Sequence, residues 1–255
     1  MMTFSPLEQF EIVSLIKIPY FFIDISFSNI SFYCIAILFI IGGVVKILNI
    51  SQINIFIKPS FIHLGIEHLF LSSLVIVREN LGNAGRRFSP FFFFLFSFLI
   101  LGNVIGLVPF SFTITAQFII TLSISYMIWV GKLLLGFYKH GIHFFSILLP
   151  GGIPFAIVPF FVFVELISFF IPLVALGVRL FANIMSGHIL IKVIASFCWI
   201  ALFLGSGAFF IHFVLIGMLF LLMFLETAVA FIQAYVFFIL SCLYFGDAIK
   251  GGHLH

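Results

Sequence analysis

Long apolar runs separated by short polar segments make up most of the chain. About 20 consecutive apolar residues cross the hydrocarbon core of a bilayer as an α-helix, so a run of that length predicts a membrane span. The first such run is 29–48. Between 56 and 80 the apolar residues alternate with polar ones, namely His63, Glu67, His68, Arg78 and Glu79. This pattern favours an amphipathic helix that lies at the membrane surface.

The next apolar stretch, 88–131, contains no charged residue. It is too long for one helix, and Pro109 followed by "FSFT" is typical of a turn. The sequence therefore predicts a hairpin over 89–131, with helices at 89–108 and 113–131. Within it, the Phe91 to Phe94 run is expected to face lipid.

Two apolar tracts follow, at about 155–192 and 196–246, and together they predict a second hairpin over 155–246. Each tract exceeds one perpendicular span, so its helix must tilt strongly, bend or lie partly along the membrane plane. The predicted fold is thus an all-α membrane protein with about five membrane helices and one interfacial helix. We expect a single domain over 1–255, with an N-terminal segment at 1–28.

Composition agrees with a bilayer environment, because 64% of the residues are hydrophobic, 7% are charged and the mean hydropathy is +1.39. These values exclude an ordinary soluble domain. The net charge is +3, and the basic residues are too dispersed for a nucleic-acid surface. The three cysteines have no metal-ligand spacing, so neither a zinc site nor a disulfide framework is indicated, and no cofactor is expected.

Basic residues flank the first hairpin at both ends, with Arg86 and Arg87 before it and Lys132 and Lys139 after it. The positive-inside rule then places the N-terminus outside and the C-terminus inside. No signal or transit peptide pattern precedes the first span. The 41 phenylalanines and the frequent isoleucines are a bias typical of AT-rich genomes, including those of organelles.

Polar residues inside the last two tracts carry the candidate chemistry. An arginine at the centre of a spanning helix costs roughly 2.5–3.5 kcal/mol, so Arg179 must face a cavity, a bundle interior or a partner charge. Asn183 follows it at i+4 on the same helical face, whereas Glu165 and His188 lie to either side along the axis. In the last tract Glu226 and Gln233 share a face, which His212 joins if the helix stays straight. Ionisable groups at different depths are typical of a proton path.

The stretches "ELISFFIPLVALGVRLFANIMSGHIL" and "FLETAVAFIQAYVFFILS" resemble subunit a of the F-type ATP synthase in its mitochondrial form. The resemblance extends to "SPLEQF" and "NVIGLVPFSFTITA". It implies a stator that faces a ring of c subunits between two aqueous half-channels, with no ATP chemistry in this chain. The implied location is the mitochondrial inner membrane, and the implied partners are the c-ring, the peripheral stalk, other membrane-sector subunits and lipid.

Residue roles follow from the same resemblance. Arg179 matches the arginine that meets the ring carboxylate and separates the half-channels. His188 and Glu226 match the inlet half-channel, with Asn103, Asn183 and Gln233 as polar lining, and Glu165 matches the outlet side. One departure is Ile171 before Pro172, where a basic residue is common.

Several alternatives stay open at the level of sequence. Arg179 could snorkel or form a structural ion pair with Glu165, His188 could be a helix contact, and the amides could join helices. His140 and His143 are expected in an interfacial loop. A proton-coupled secondary transporter would normally show internal repeats, and none is visible here. A haem- or quinone-binding respiratory subunit would need matched histidine pairs on facing helices.

Overall fold

A computed structural model gives the fold of residues 10–17, 19–20, 23–24, 26–53, 61–82, 85–108, 111–141, 157–203 and 209–250. Six helices account for most of these residues: α1 Asn29–Ile53, α2 Phe61–Leu81, α3 Gly85–Leu107, α4 Phe118–His140, α5 Val158–Phe203 and α6 Phe209–Lys250. A 3₁₀ turn, Ile114–Ala116, precedes α4. Four strands of two or three residues lie before α1: β1 Ser14–Ile16, β2 Pro19–Tyr20, β3 Ile23–Asp24 and β4 Phe27–Ser28. In antiparallel register, β1 pairs with β4 and β2 with β3.

Within this described part of the chain, five helices are long and apolar enough to cross a membrane. They are α1, α3, α4, α5 and most of α6. The sixth, α2, carries Glu67, Arg78 and Glu79 along its length. The predicted fold class, an all-α membrane protein with several spans, is therefore confirmed.

The chain divides into two compact units. The first consists of Met1–Gly43, Ser97–Gln117 and Leu180–Ala234. The second consists of Val44–Phe96, Phe118–Arg179 and Tyr235–His255.

In the first unit, a small core joins the 3₁₀ turn to the long helices. Ala116 packs with Ile184 of α5 and Ala230 of α6, and Phe10 and Leu107 pack against this cluster. The start of α1 is tied to the N-terminal segment, because the backbone N–H of Asn29 donates to Val13 O at 3.1 Å. The side-chain amide of Asn29 also donates to Glu11 O, at 3.1 Å.

The second unit has an aromatic core. The ring centroid of Phe92 lies 5.2 Å from that of Phe245, and Phe96 lies 5.0 Å from Phe238. Phe92 and Phe93 are buried, so the expectation that this run faces lipid is wrong for two of its four residues. Lipid and protein interiors are equally apolar, and hydropathy therefore cannot tell a helix-facing phenylalanine from a lipid-facing one.

Helix ends differ from the predicted ones where a lysine or a turn lies near them. The second helix of the hairpin runs over Phe118–His140 instead of 113–131, because the residues before it form the 3₁₀ turn. It continues past Lys132, whose ammonium lies over the rings of Phe169 and Tyr244, 5.0 and 5.4 Å from their centroids. Rings can hold a cation in this way, so Lys132 does not end the helix.

The long tracts also extend further than predicted. The helix α5 runs to Phe203 instead of ending near Lys192, since no helix breaker follows that lysine. The last helix, α6, begins at Phe209 and ends at Lys250. Similarly, α1 ends at Ile53, a few residues beyond the predicted 48.

Candidate functional site

Arg179 lies inside the uninterrupted helix α5 and is exposed on its surface. The ion pairs found in the described part of the chain are His63–Glu67 and His188–Glu226, so Arg179 has no carboxylate partner there. Glu165 precedes it by 14 residues in the same helix, which separates the two by about 21 Å along the axis. This distance excludes the structural ion pair with Glu165 that the sequence left open.

His188 and Glu226 are brought together between α5 and α6. The Nδ1 atom of His188 lies 3.6 Å from Oε1 of Glu226, and the side chains are 14% and 5% exposed. This separation is that of an ion-pair contact but exceeds the usual hydrogen-bond range. A buried carboxylate and an imidazole in this arrangement can exchange a proton through a small movement or a bridging water.

Gly187 makes the close approach of Glu226 possible. A β-carbon at this position would lie 2.8 Å from Oε1 and 3.0 Å from the carboxyl carbon of Glu226. A larger residue would therefore push the carboxylate away from α5. On the other side of the imidazole, the ring of Phe10 lies edge-on to His188, with 6.1 Å between centroids.

Two amides form a second bridge between the same helices. Asn183 Nδ2 donates a hydrogen bond to Gln233 Oε1 at 2.9 Å. Asn183 precedes His188 in α5, whereas its partner Gln233 follows Glu226 in α6. The two pairs therefore show that α5 and α6 run antiparallel here. The predicted polar stripe of α6 thus faces α5 at both positions.

Asn103 of α3 is a further buried polar residue of the first unit. Its side chain is 1% exposed, and Nδ2 donates to the backbone oxygen of Ala230 at 3.0 Å. Ala230 lies one turn after Glu226 in α6, so this bond ties Asn103 to the segment of α6 that carries the carboxylate.

The remaining predicted residues lie apart from this set. Glu165 is half-buried near the start of α5, and its side chain makes no ion pair or hydrogen bond to another described residue. His212 lies on the same side of the continuous helix α6 as Glu226 and Gln233, but it meets a different part of α5, where its Nδ1 lies 3.1 Å from Cys198 O. His140 is the last residue of α4 and so is helical instead of lying in a loop. Its Nε2 lies 3.3 Å from Ile249 O. His143 lies outside the described residues.

Two features escape the sequence pattern. Gly187 is one of 20 glycines, and only its contact with Glu226 distinguishes it. Thr115 is fully buried in the 3₁₀ turn with its hydroxyl unpaired, which no periodicity predicts. No group of three potential metal ligands occurs among the residues described.

Comparison with known proteins gives a consistent result. The family model described as "ATP synthase A chain" matches residues 30–246. The chain is 40% identical to "ATP synthase subunit a" of Marchantia polymorpha, over 98% of this chain and 99% of that protein. It is 39% identical to the protein of that name from Brassica napus, over 96% of each chain. A bacterial relative with the same name, from Rhodopseudomonas palustris, is 37% identical over 98% of this chain and 99% of its own length.

Proposed function

The chain belongs to the ATP synthase A chain family and is a subunit of an ATP synthase membrane sector, and we propose that it is the proton-conducting stator of that sector. In this role it faces a ring of c subunits, and proton flow between two half-channels turns the ring. The proposed location is the mitochondrial inner membrane. The peripheral stalk and the other membrane-sector subunits hold the chain in place.

The observation that carries this proposal is the exposed and unpaired charge of Arg179. A guanidinium on an apolar helix is costly unless a counter-charge or water meets it, and the described residues supply no carboxylate within 4.0 Å. We place the counter-charge on another chain of the membrane sector. A carboxylate that arrives on each c subunit in turn meets this requirement.

The inlet half-channel is assigned to the first unit. The buried pair His188 and Glu226 takes up protons from the outer side and passes them toward the ring, because both side chains can bind and release a proton. Asn103, Asn183 and Gln233 line this path. Glu165, at the start of α5, receives protons on the outlet side.

Cross-linking tests which face of the chain meets the ring. Ser186 is exposed and follows Arg179 by seven residues of α5, which is about two turns. In a complex whose native cysteines are replaced, we expect Ser186→Cys to cross-link to a cysteine beside the ring carboxylate. The matched control is Ser123→Cys, because Ser123 is likewise exposed and bonded to its own helix but belongs to α4.

The outcomes separate the candidate functions. Cross-linking from position 123 and not from position 186 would show that the rotor face is assigned wrongly. Purification in mild detergent adds an independent check, since a c-ring should co-purify with the chain. Haem absorbance and no c-ring would instead favour a respiratory-complex subunit.

A further inference from the structure

Four buried polar atoms of the first unit have no hydrogen-bond partner among the described residues. They are Asn103 Oδ1, Thr115 Oγ1, His188 Nε2 and Glu226 Oε1. Three of these residues are assigned to the proton path above, and Thr115 is not. A buried polar group without a partner is costly, so the position of Thr115 requires an explanation.

Thr115 packs against α3 at the residue that precedes Asn103. Its Cγ2 methyl is 3.2 Å from the place where a β-carbon on Gly102 would be, and Gly102 directly precedes Asn103. The hydroxyl is fully buried in the 3₁₀ turn. Thr115 is thus held against the turn of α3 that carries the channel amide.

The neighbouring contacts connect Thr115 to Glu226. Ala116, the next residue, packs against Ala230 of α6, and Ala230 O accepts the hydrogen bond from Asn103 Nδ2 at 3.0 Å. Ala230 lies one turn after Glu226 in the same helix. These contacts join the three chain segments that carry the unpaired atoms of Thr115, Asn103 and Glu226.

Three other buried hydroxyls among the described residues behave differently. The hydroxyls of Thr121, Ser125 and Ser241 each donate to a carbonyl of their own helix, at 2.7 to 3.0 Å. That bond uses the only proton of the hydroxyl, which then cannot donate to a water or a ligand. Thr115 lacks such a bond, so its hydroxyl is available both to donate and to accept.

We propose that the Thr115 hydroxyl is a further group of the inlet half-channel, where it and Asn103 Oδ1 hold water that leads to Glu226. Buried water typically makes two to four hydrogen bonds to polar atoms that otherwise lack partners, and these three side chains supply them. A hydroxyl accepts a proton from one water while it donates its own to the next, so it passes protons without changing its net charge. This inference rests on the proposed function, which places Glu226 in the inlet path.

Conservative variants test the hydroxyl directly. Thr115→Val keeps the shape and removes the hydroxyl, whereas Thr115→Ser keeps the hydroxyl and removes the methyl group. In reconstituted vesicles stripped of the soluble catalytic head, we expect the Val variant to lower passive proton flux several-fold. The Ser variant should retain most of the flux. Thr121→Val is the matched control, because Thr121 is equally buried with its hydroxyl bonded to Phe118 O, and it should leave the flux unchanged.

A second measurement covers the case in which the Val variant does not assemble. With Cys34, Cys198 and Cys242 replaced, Thr115→Cys should make ATP synthesis sensitive to silver ions, which reach thiols that contact water. Thr121→Cys should stay insensitive.

Normal flux in an assembled Thr115→Val complex, or an inert thiol at position 115, would overturn the inference. If Glu226→Gln abolishes synthesis in the same preparation, the proposed function stands while the role of Thr115 fails. If Glu226→Gln leaves synthesis normal, the inlet assignment itself fails.

Discussion

The carboxylate of Glu226 occupies the space that a side chain on Gly187 would need. Its Oε1 lies 2.8 Å from the β-carbon position of that glycine, and the imidazole of the next residue, His188, lies 3.6 Å away. The glycine therefore determines how close the acid comes to α5 and to its histidine. Alanine would be preferred at this position for helix formation alone.

Gly187→Ala should displace the Glu226 carboxylate and lower proton-driven ATP synthesis by about ten-fold, because a small misplacement of a reacting group strongly lowers the rate. The clash is with a flexible side chain, so the complex should still assemble. Gly217→Ala is the control, since nothing lies within 4 Å of a β-carbon there. Equal activity of the two variants would show that the close approach has no functional role.

Glu226→Gln should abolish most proton-driven synthesis in an assembled complex, because an amide of the same shape cannot take up and release a proton. Glu79→Gln, at an exposed position of α2, should have no effect. The double exchange His188→Glu with Glu226→His keeps an acid and an imidazole together and should recover part of the activity. Additive losses from the single changes, with no recovery in the exchange, would mean that the two residues act independently.

For the Asn183–Gln233 hydrogen bond we expect an effect on the stability of the complex. Asn183→Leu and Gln233→Leu should each lower the thermal stability of the detergent-solubilised complex, because each leaves the other amide unpaired. The double variant should be no less stable than either single one, with a coupling of about 0.6 kcal/mol, the average for such bonds in membranes. Loss of proton flux in all three variants with unchanged stability would instead show that the amides act on the proton path alone.

Much of the fold could be predicted because the bilayer itself imposes it. Hydrocarbon accepts a helix of about 20 apolar residues and rejects unpaired backbone, so composition alone indicates the spans. Helix ends were less predictable. The sequence predicts helix ends at 131 and about 192, yet α4 and α5 continue past Lys132 and Lys192. For Lys132 the reason is a contact with rings of other helices.

Part of the candidate site could likewise be predicted from the sequence, and part could not. The residues His188 and Glu226 could be named from the sequence because their order resembles a known family, and the structure places them in contact. Gly187 and Thr115 could not be named. Their relevance depends on which atoms of another helix approach them, and a single sequence carries no record of that approach.

Arg179 should act through a fixed charge and its geometry, because a guanidinium does not release its proton in proteins. A ring carboxylate that arrives protonated must ionise to discharge its proton, and a permanent cation nearby favours the ionised form. In the proposed mechanism the same cation also opposes direct proton transfer between the half-channels, so that protons would travel with the ring. Lysine keeps the positive charge but lacks the planar guanidinium and its length. Alanine lacks the charge as well as the guanidinium.

We therefore expect Arg179→Lys to assemble and to abolish proton-driven ATP synthesis in reconstituted vesicles. Arg179→Ala should abolish it too and should also raise passive proton flux once the soluble catalytic head is removed, because nothing then separates the half-channels. Arg87→Ala removes the same charge from an exposed position at the start of α3 and should retain both normal synthesis and low passive flux. Near-normal synthesis in Arg179→Ala would contradict the mechanism, since no fixed cation would then be needed to discharge the ring.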